Sequence, residues 1–165
     1  MATPIQAAKR YYRRGRSKVL WVPTIQNKQA PTRAELDAGT ALEGETGAMQ
    51  GWQTTSGTVP TPALGSRFTP VVGGEITAAD SSLTFWASRD ADDVRTLLVR
   101  EADGFIVWMD EGDVPTQTMD VFPVTVTSQA KIRELDQAAQ IMCQFAITSE
   151  PAENVAIPAA AGGGG

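Results

Sequence analysis

The chain has 165 residues, 42% of them hydrophobic and 20% charged, which is enough apolar material for one real core. It contains no histidine and one cysteine, Cys143. Those absences exclude Ser-His-Asp and Cys-His catalysis, histidine-bound metals, an intrachain disulfide and a multi-cysteine zinc site.

The net charge is −5, yet six of the fourteen basic residues fall in KRYYRRGRSK, Lys9 to Lys18. The remainder carries eight basic and nineteen acidic residues, a balance of −11. Such a body repels a phosphate backbone; only the arm attracts one. No apolar run is long enough to span a membrane, and the first residues lack the apolar segment of a secretory signal.

Residues 1–17 read as an extended arm. KVLWVPTI (18–25) reads as a first strand, placed at an edge or bulge by Pro23. In PTRAELDAGT (31–40), Thr32 can cap a short helical turn, with Glu35 three residues later and Gly39 ending it. Residues 40–65 are rich in Gly, Thr and Pro, and read as a long hairpin or a functional loop. SRFTPVV (66–72) and EITAADSSLTFWAS (75–88) are strand candidates, with Leu83, Phe85 and Ala87 on one face.

DADDVRTLLV (90–99) changes period. Asp90 is a candidate N-cap, and Val94, Leu97 and Leu98 share a helical face, so one short amphipathic helix is expected. GFIVWM (104–109) is apolar on both faces and reads as a central strand. MDVFPVTVTS (119–128) should turn Phe122, Val124 and Val126 inward, and KIRELDQ (131–137) reads as a second turn or a short excursion.

AQIMCQFAITS (139–149) alternates cleanly. Ile141, Cys143, Phe145 and Ile147 share an inner face. Gln140, Met142, Gln144, Ala146 and Thr148 form an almost uncharged outer face, suited to another protein or a wet lumen. The domain division is then 1–17 a basic arm, 18–149 a β-domain containing the loop 40–65, and 150–165 a flexible tail. The expected fold class is mostly β, a β-sandwich or partly rolled barrel with one flanking α-helix, a long loop and terminal arms.

No catalytic, metal or cofactor site emerges. Asp110, Glu111 and Asp113 form an acidic turn after a strand, without EF-hand spacing. Asp90, Asp92 and Asp93 are explained by a helix N-terminus, where carboxylates are favourable. The basic arm has three readings from its residues alone: a nucleic-acid arm with Tyr11 and Tyr12 stacking on bases, an arm docking on an acidic protein surface, or a solvated tail.

An ordered set of segments then resembles the major tail (tail tube) proteins of long, non-contractile-tailed bacteriophages. It comprises PTRAELDAGT (31–40), LGSRFT (64–69), AADSSLTF (78–85), DDVRTLL (92–98), GFIVWMDEGD (104–113), MDVFPVTVTS (119–128) and QFAITSEPAENVAIP (144–158). The resemblance implies a structural, non-enzymatic virion protein whose hexameric rings stack into a tube that conducts the genome. Each subunit would add strands to a barrel lining the lumen, and loops and arms would bridge subunits and rings. The implied partners are other copies of the chain, a tape-measure protein, a tail terminator and distal tail or baseplate proteins, with DNA in transit. The protein would be made in the host cytoplasm and reside in the virion tail.

On this reading Lys9, Arg10, Arg13, Arg14, Arg16 and Lys18 bind acidic surface on a neighbouring subunit or ring. Glu43, Glu45 and Glu75 are candidates for an acidic lumen, because exposed arginines would grip DNA. The alternative is a DNA-binding protein that uses the arm for phosphate contacts.

Overall fold

The computed structural model describes residues 2–90 and 93–160. Its architecture follows from strands that alternate buried and exposed side chains. β1 (Lys18–Val22), β7 (Asp103–Met109), β8 (Thr118–Ile132), β9 (Gln140–Ile147), β6 (Ser81–Trp86) and β3 (Thr46–Gln50) lie side by side in one antiparallel sheet. Two-residue β2 (Thr40–Ala41) pairs with β1 at one end of that sheet. β10 (Ala152–Ala156) pairs with the first part of β8.

The fifteen-residue β8 changes neighbours along its length. On one side its start meets β10 through Val121, and its continuation meets β9 from Val124 onward. Pro123, which has no N–H, falls in the gap between those partners, where its carbonyl accepts from the Thr148 N–H at 3.0 Å. A register shift between Val126 and Ser128 bends the strand. The sheet thus wraps its own core and leaves β2 and β3 as open ends, which makes the domain a partly rolled sandwich, mostly β as expected.

β7 shows why both faces are apolar. Ile106 and Trp108 enter one core with Val19, Trp21, Leu83, Phe85, Phe122, Val124, Ile141 and Phe145. Val107 and Met109 enter a second, with Val22, Leu36, Val121, Val155 and Ile157. Gly104 makes room for a side chain: a Cβ there would sit 2.6 Å from the Trp21 ring. Trp52 closes the first core against Trp108, Phe122 and Phe145, with ring centroids 5.4–5.6 Å apart.

Several sequence expectations change. EITAADSSLTFWAS is two strands: β5 (Val71–Ala78) ends before Ala79 and Asp80, and β6 begins at Ser81. SRFTPVV is mostly loop, because Pro70 delays the strand to Val71. β8 runs on to Ile132, two residues into the predicted 131–137 turn. The helix expected over 90–99 is only α2 (Val94–Leu97), capped by Asp93 rather than Asp90; Asp92 lies outside the described residues. A second short helix, α1 (Arg33–Asp37), carries the predicted Thr32–Glu35 capping box and buries Leu36.

The C-terminal expectation is corrected most. In place of a flexible tail from residue 150, β10 joins the sheet and buries Ala152, Val155 and Ile157. Its register shifts between Ala152 and Val155, where Asn154 adopts a left-handed φ of 57°. That bulge hides the period-two signal in the sequence. Residues 161–165 lie outside the described part.

Candidate assembly surfaces

Three regions outside the core carry the features expected of an assembling subunit: the arm, a projecting ribbon, and half of the main sheet.

The arm is exposed from residue 2 to Arg16. It is tied to its own chain at the acidic turn after β7. Arg13 forms an ion pair with Asp110, Ser17 Oγ donates to the Asp110 carbonyl at 2.6 Å, and Tyr11 OH donates to Glu111 at 3.4 Å. Arg16 lies over the Tyr11 ring, 5.7 Å from its centroid. Arg13 thus has an exposed ion-pair partner within its own chain. Lys9, Arg10, Arg14, Arg16 and Lys18 are exposed and form no ion pair among the described residues.

The rest of the acidic turn is structural as well. Asp113 accepts two bonds from the Arg33 guanidinium, at 2.7 and 2.6 Å, and Arg33 also reaches Asp37 at 2.8 Å. The Arg33 hydrogen bonds hold the Asp113 carboxyl below its usual range. These arginines explain Asp110 and Asp113 without a cation. The same holds at α2, where Arg95 hydrogen bonds bring Asp93 down to about 2 and the Ser88 N–H adds a bond at 2.9 Å. Burial pushes the Cys143 thiol up to about 12, so it behaves as a core residue.

The ribbon is the antiparallel pair β4 (Thr54–Pro60) and β5, whose strands, among the described residues, pair only with each other. Every residue in it is exposed except Thr54 and Gly74. Gly51 (φ 84°) and Trp52 (φ 62°) make the corner that turns the chain out of β3 into the ribbon. A Cβ on Gly51 would come within 2.2 Å of the Asp80 carbonyl, so only glycine fits there.

The half-sheet β8–β9–β6–β3 presents an outer face of cross-strand partners. It runs through Thr125, Ser128, Ala130 and Ile132 of β8, Gln140, Met142, Gln144 and Ala146 of β9, Ser82, Thr84 and Trp86 of β6, and Ala48 and Gln50 of β3. None of these is charged, in a chain where one residue in five is. Asp103 of β7 borders the face and accepts the Thr125 hydroxyl. Among the described residues, this half-sheet is open along β3 on one side and along the last part of β8, which β7 does not cover, on the other. Among the described residues, β3 pairs only with β6. β8 makes no backbone hydrogen bond on its other side beyond Val126, among the described residues.

The three glutamates do not come together on that face. Glu43 and Glu45 lie in the turn between β2 and β3, and the Glu45 carbonyl accepts from the Trp86 N–H at 3.0 Å. Glu75 is exposed on β5 of the ribbon. Sequence reasoning finds the outer face of β9 but misses its continuation across β6 and β3. The alternation of SSLTFW carries that signal, once its register with β9 is known. No helix among the described residues is long and apolar enough to cross a membrane.

Comparison with known proteins agrees with this architecture. A family model described as phage tail tube protein matches residues 5–160. A search of curated protein sequences finds no match. Among solved structures, the fold is similar to a chain in the tail of an empty gene transfer agent particle refined with C6 symmetry: TM-score 0.52, 12% identity, covering 84% of this chain and 93% of that one. It is also similar to a chain in the sixfold-symmetrised baseplate of an anti-feeding prophage: TM-score 0.51, 13% identity, covering 90% and 95%. With the family matched over nearly the whole length, the chain belongs to the phage tail tube protein family and is a structural component of the virion tail.

Proposed function

We propose that this chain closes rings through the two open edges of the β8–β9–β6–β3 half-sheet, and that stacked rings form the conduit. The observation that carries the reading is the half-sheet itself: four antiparallel strands, open along β3 on one side and along β8 beyond Val126 on the other, with an uncharged outer face. Because the strand number is even, β3 runs opposite to β8. A copy rotated about an axis along the strands therefore brings β3 beside the next copy's β8 in antiparallel order, and the alternation continues around the ring. Edges that a monomer would have to protect become the seam.

Sixfold closure is taken from the symmetry of the two similar assemblies. The outer face of Gln, Ser, Thr, Ala and Met, with Ile132 and Trp86 at one end, then lines the passage, with no fixed cation to grip a phosphate backbone. Glu43, Glu45 and Glu75 lie at the ends of this wall rather than in its middle. Lys9, Arg10, Arg13, Arg14, Arg16 and Lys18 bind acidic surface on neighbouring copies. A tape-measure protein, a tail terminator and distal tail or baseplate proteins complete a long, non-contractile tail assembled in the host cytoplasm. The role requires no catalytic step and no cofactor.

The test is negative-stain electron microscopy of concentrated protein at low and high salt. Rings or hollow tubes are expected at both, because seams that bury strand edges and apolar surface resist screening. Filaments that form only with added DNA, and dissolve as salt rises, would instead assign the arm to phosphate contacts.

A further inference from the structure

A cavity of about 340 Å³ lies where β3 turns out into the ribbon, at the small end of the size range of ligand sites. Trp52, Trp108 and Phe122 give it aromatic walls, and Arg13, Asp110 and Asp120 line it with charge. The strand register builds it. Trp108 of β7 pairs with Asp120 of β8, so indole and carboxylate share a face, and Phe122 follows two residues later.

Two groups in the cavity lack a partner. Trp52 donates its indole N–H to the Ser82 carbonyl at 3.2 Å. Trp108, only 6% exposed, finds no acceptor for its own indole N–H among the described residues. A buried donor left unpaired is costly, so an acceptor brought by a ligand is favoured there. Asp120 is half-buried and accepts the Asn154 N–H at 2.8 Å, but no lysine or arginine pairs with it among the described residues. Burial raises its carboxyl above the usual range despite that bond, and the charges of Glu153, Asp110 and Glu111 raise it further. Arg13 answers Asp110 alone.

These features select a ligand. Carboxylates at the rim repel anions. Among the described residues, no group of three or more acidic side chains is placed to hold a metal ion. Aromatic faces beside carboxylates suit an organic cation, and a guanidinium best. It is planar and weakly hydrated, and it stacks on an indole while donating to a carboxylate. The peptide group that carries an arginine also supplies a carbonyl for the Trp108 N–H. The chain's own arm covers the rim through Arg13 and Tyr11, so a second copy's arm meets it occupied.

We propose that this cavity is a docking site for an arginine of a partner protein. The guanidinium stacks on Trp52 and pairs with Asp120, and the arginine's peptide carbonyl accepts the Trp108 indole N–H. The site needs only the single subunit, so it stands or falls independently of ring formation.

The test is a titration of dilute full-length protein with N-acetyl-L-arginine amide, followed by NMR of the indole N–H groups. The chain has four tryptophans, of which Trp52 and Trp108 line the cavity. Their two resonances should shift saturably, while those of Trp21 and Trp86 stay in place. Asp120→Asn keeps an oxygen for the Asn154 N–H but removes the charge, and should weaken binding about tenfold. Equal shifts at all four indoles, or none, overturn the site. Equal shifts with N-acetyl-L-leucine amide overturn the guanidinium, and an unchanged affinity in Asp120→Asn overturns the carboxylate's part. The same two shifts on raising the protein concentration alone would assign the cavity to a second copy and overturn the partner protein.

Discussion

β5 and β9 are both eight-residue strands, and their apolar residues meet opposite fates. In β9, QIMCQFAI, the side chains of Ile141, Cys143 and Phe145 are buried. In β5, VVGGEITA, Val71, Val72 and Ile76 each keep more than half their surface in water. The difference lies in neighbours rather than composition. β9 has a strand on each side and a core beneath it; β5 has only β4. A strand without a core beneath it gains little from its own fold. The apolar side chains of β9 therefore stabilise the subunit, and those of β5 are left in water by their own fold.

The sharpest way to break this comparison is to truncate the buried side. Phe145 is 4% exposed and packs against the Trp52 ring at a tilt. Phe145→Ala should destabilise the subunit by roughly 3–5 kcal/mol, read by urea denaturation. A near-neutral result would mean that the inner face of β9 is not core.

What the sequence makes legible follows the same division. Wherever a strand alternates against a core, as in Ile141–Cys143–Phe145 or Phe122–Val124–Val126, the period of two is readable and the inward set is correct. The ribbon is legible only as a long hairpin or functional loop over 40–65 followed by strand candidates, with its bounds misplaced. Its strands bury nothing in their own chain, so no burial pattern marks where they start. The acidic turn is visible, but its partners are not: Arg13 and Arg33 lie 97 and 80 residues away from Asp110 and Asp113. β10 is hidden because a bulge at Asn154 breaks its alternation. The open edges of the half-sheet depend on strand order, which no local pattern encodes.

A smaller effect tests the electrostatics of the folded body. Arg95 and backbone donors hold the Asp93 carboxyl at about 2, below its usual 3.8. A depressed carboxyl stabilises the fold above its unfolded value and loses that contribution as pH falls through the folded value. Its worth at neutral pH is on the order of 2 kcal/mol. Wild-type stability should therefore carry an acid-dependent loss between about pH 4 and pH 2, and Asp93→Asn should flatten it. Equal slopes for the two proteins in acid denaturation would show that the Arg95 pair contributes nothing to the fold.

The smallest expected change in stability is the most informative for assembly. Val72 is 52% exposed on β5 and pairs across the ribbon with Val59, itself 50% exposed. Val72→Ser removes exposed apolar surface and should shift the subunit's unfolding by no more than about 0.5 kcal/mol. If β5 is apolar for a partner's sake, the same change should raise the protein concentration needed for tubes by about tenfold, equivalent to association weakened by about 1.4 kcal/mol per added subunit. Light scattering against protein concentration reads the threshold directly. A destabilised subunit with an unchanged threshold would reverse the comparison: the ribbon would then belong to its own chain's fold, and the burial of β9 and the exposure of β5 would no longer divide folding from assembly.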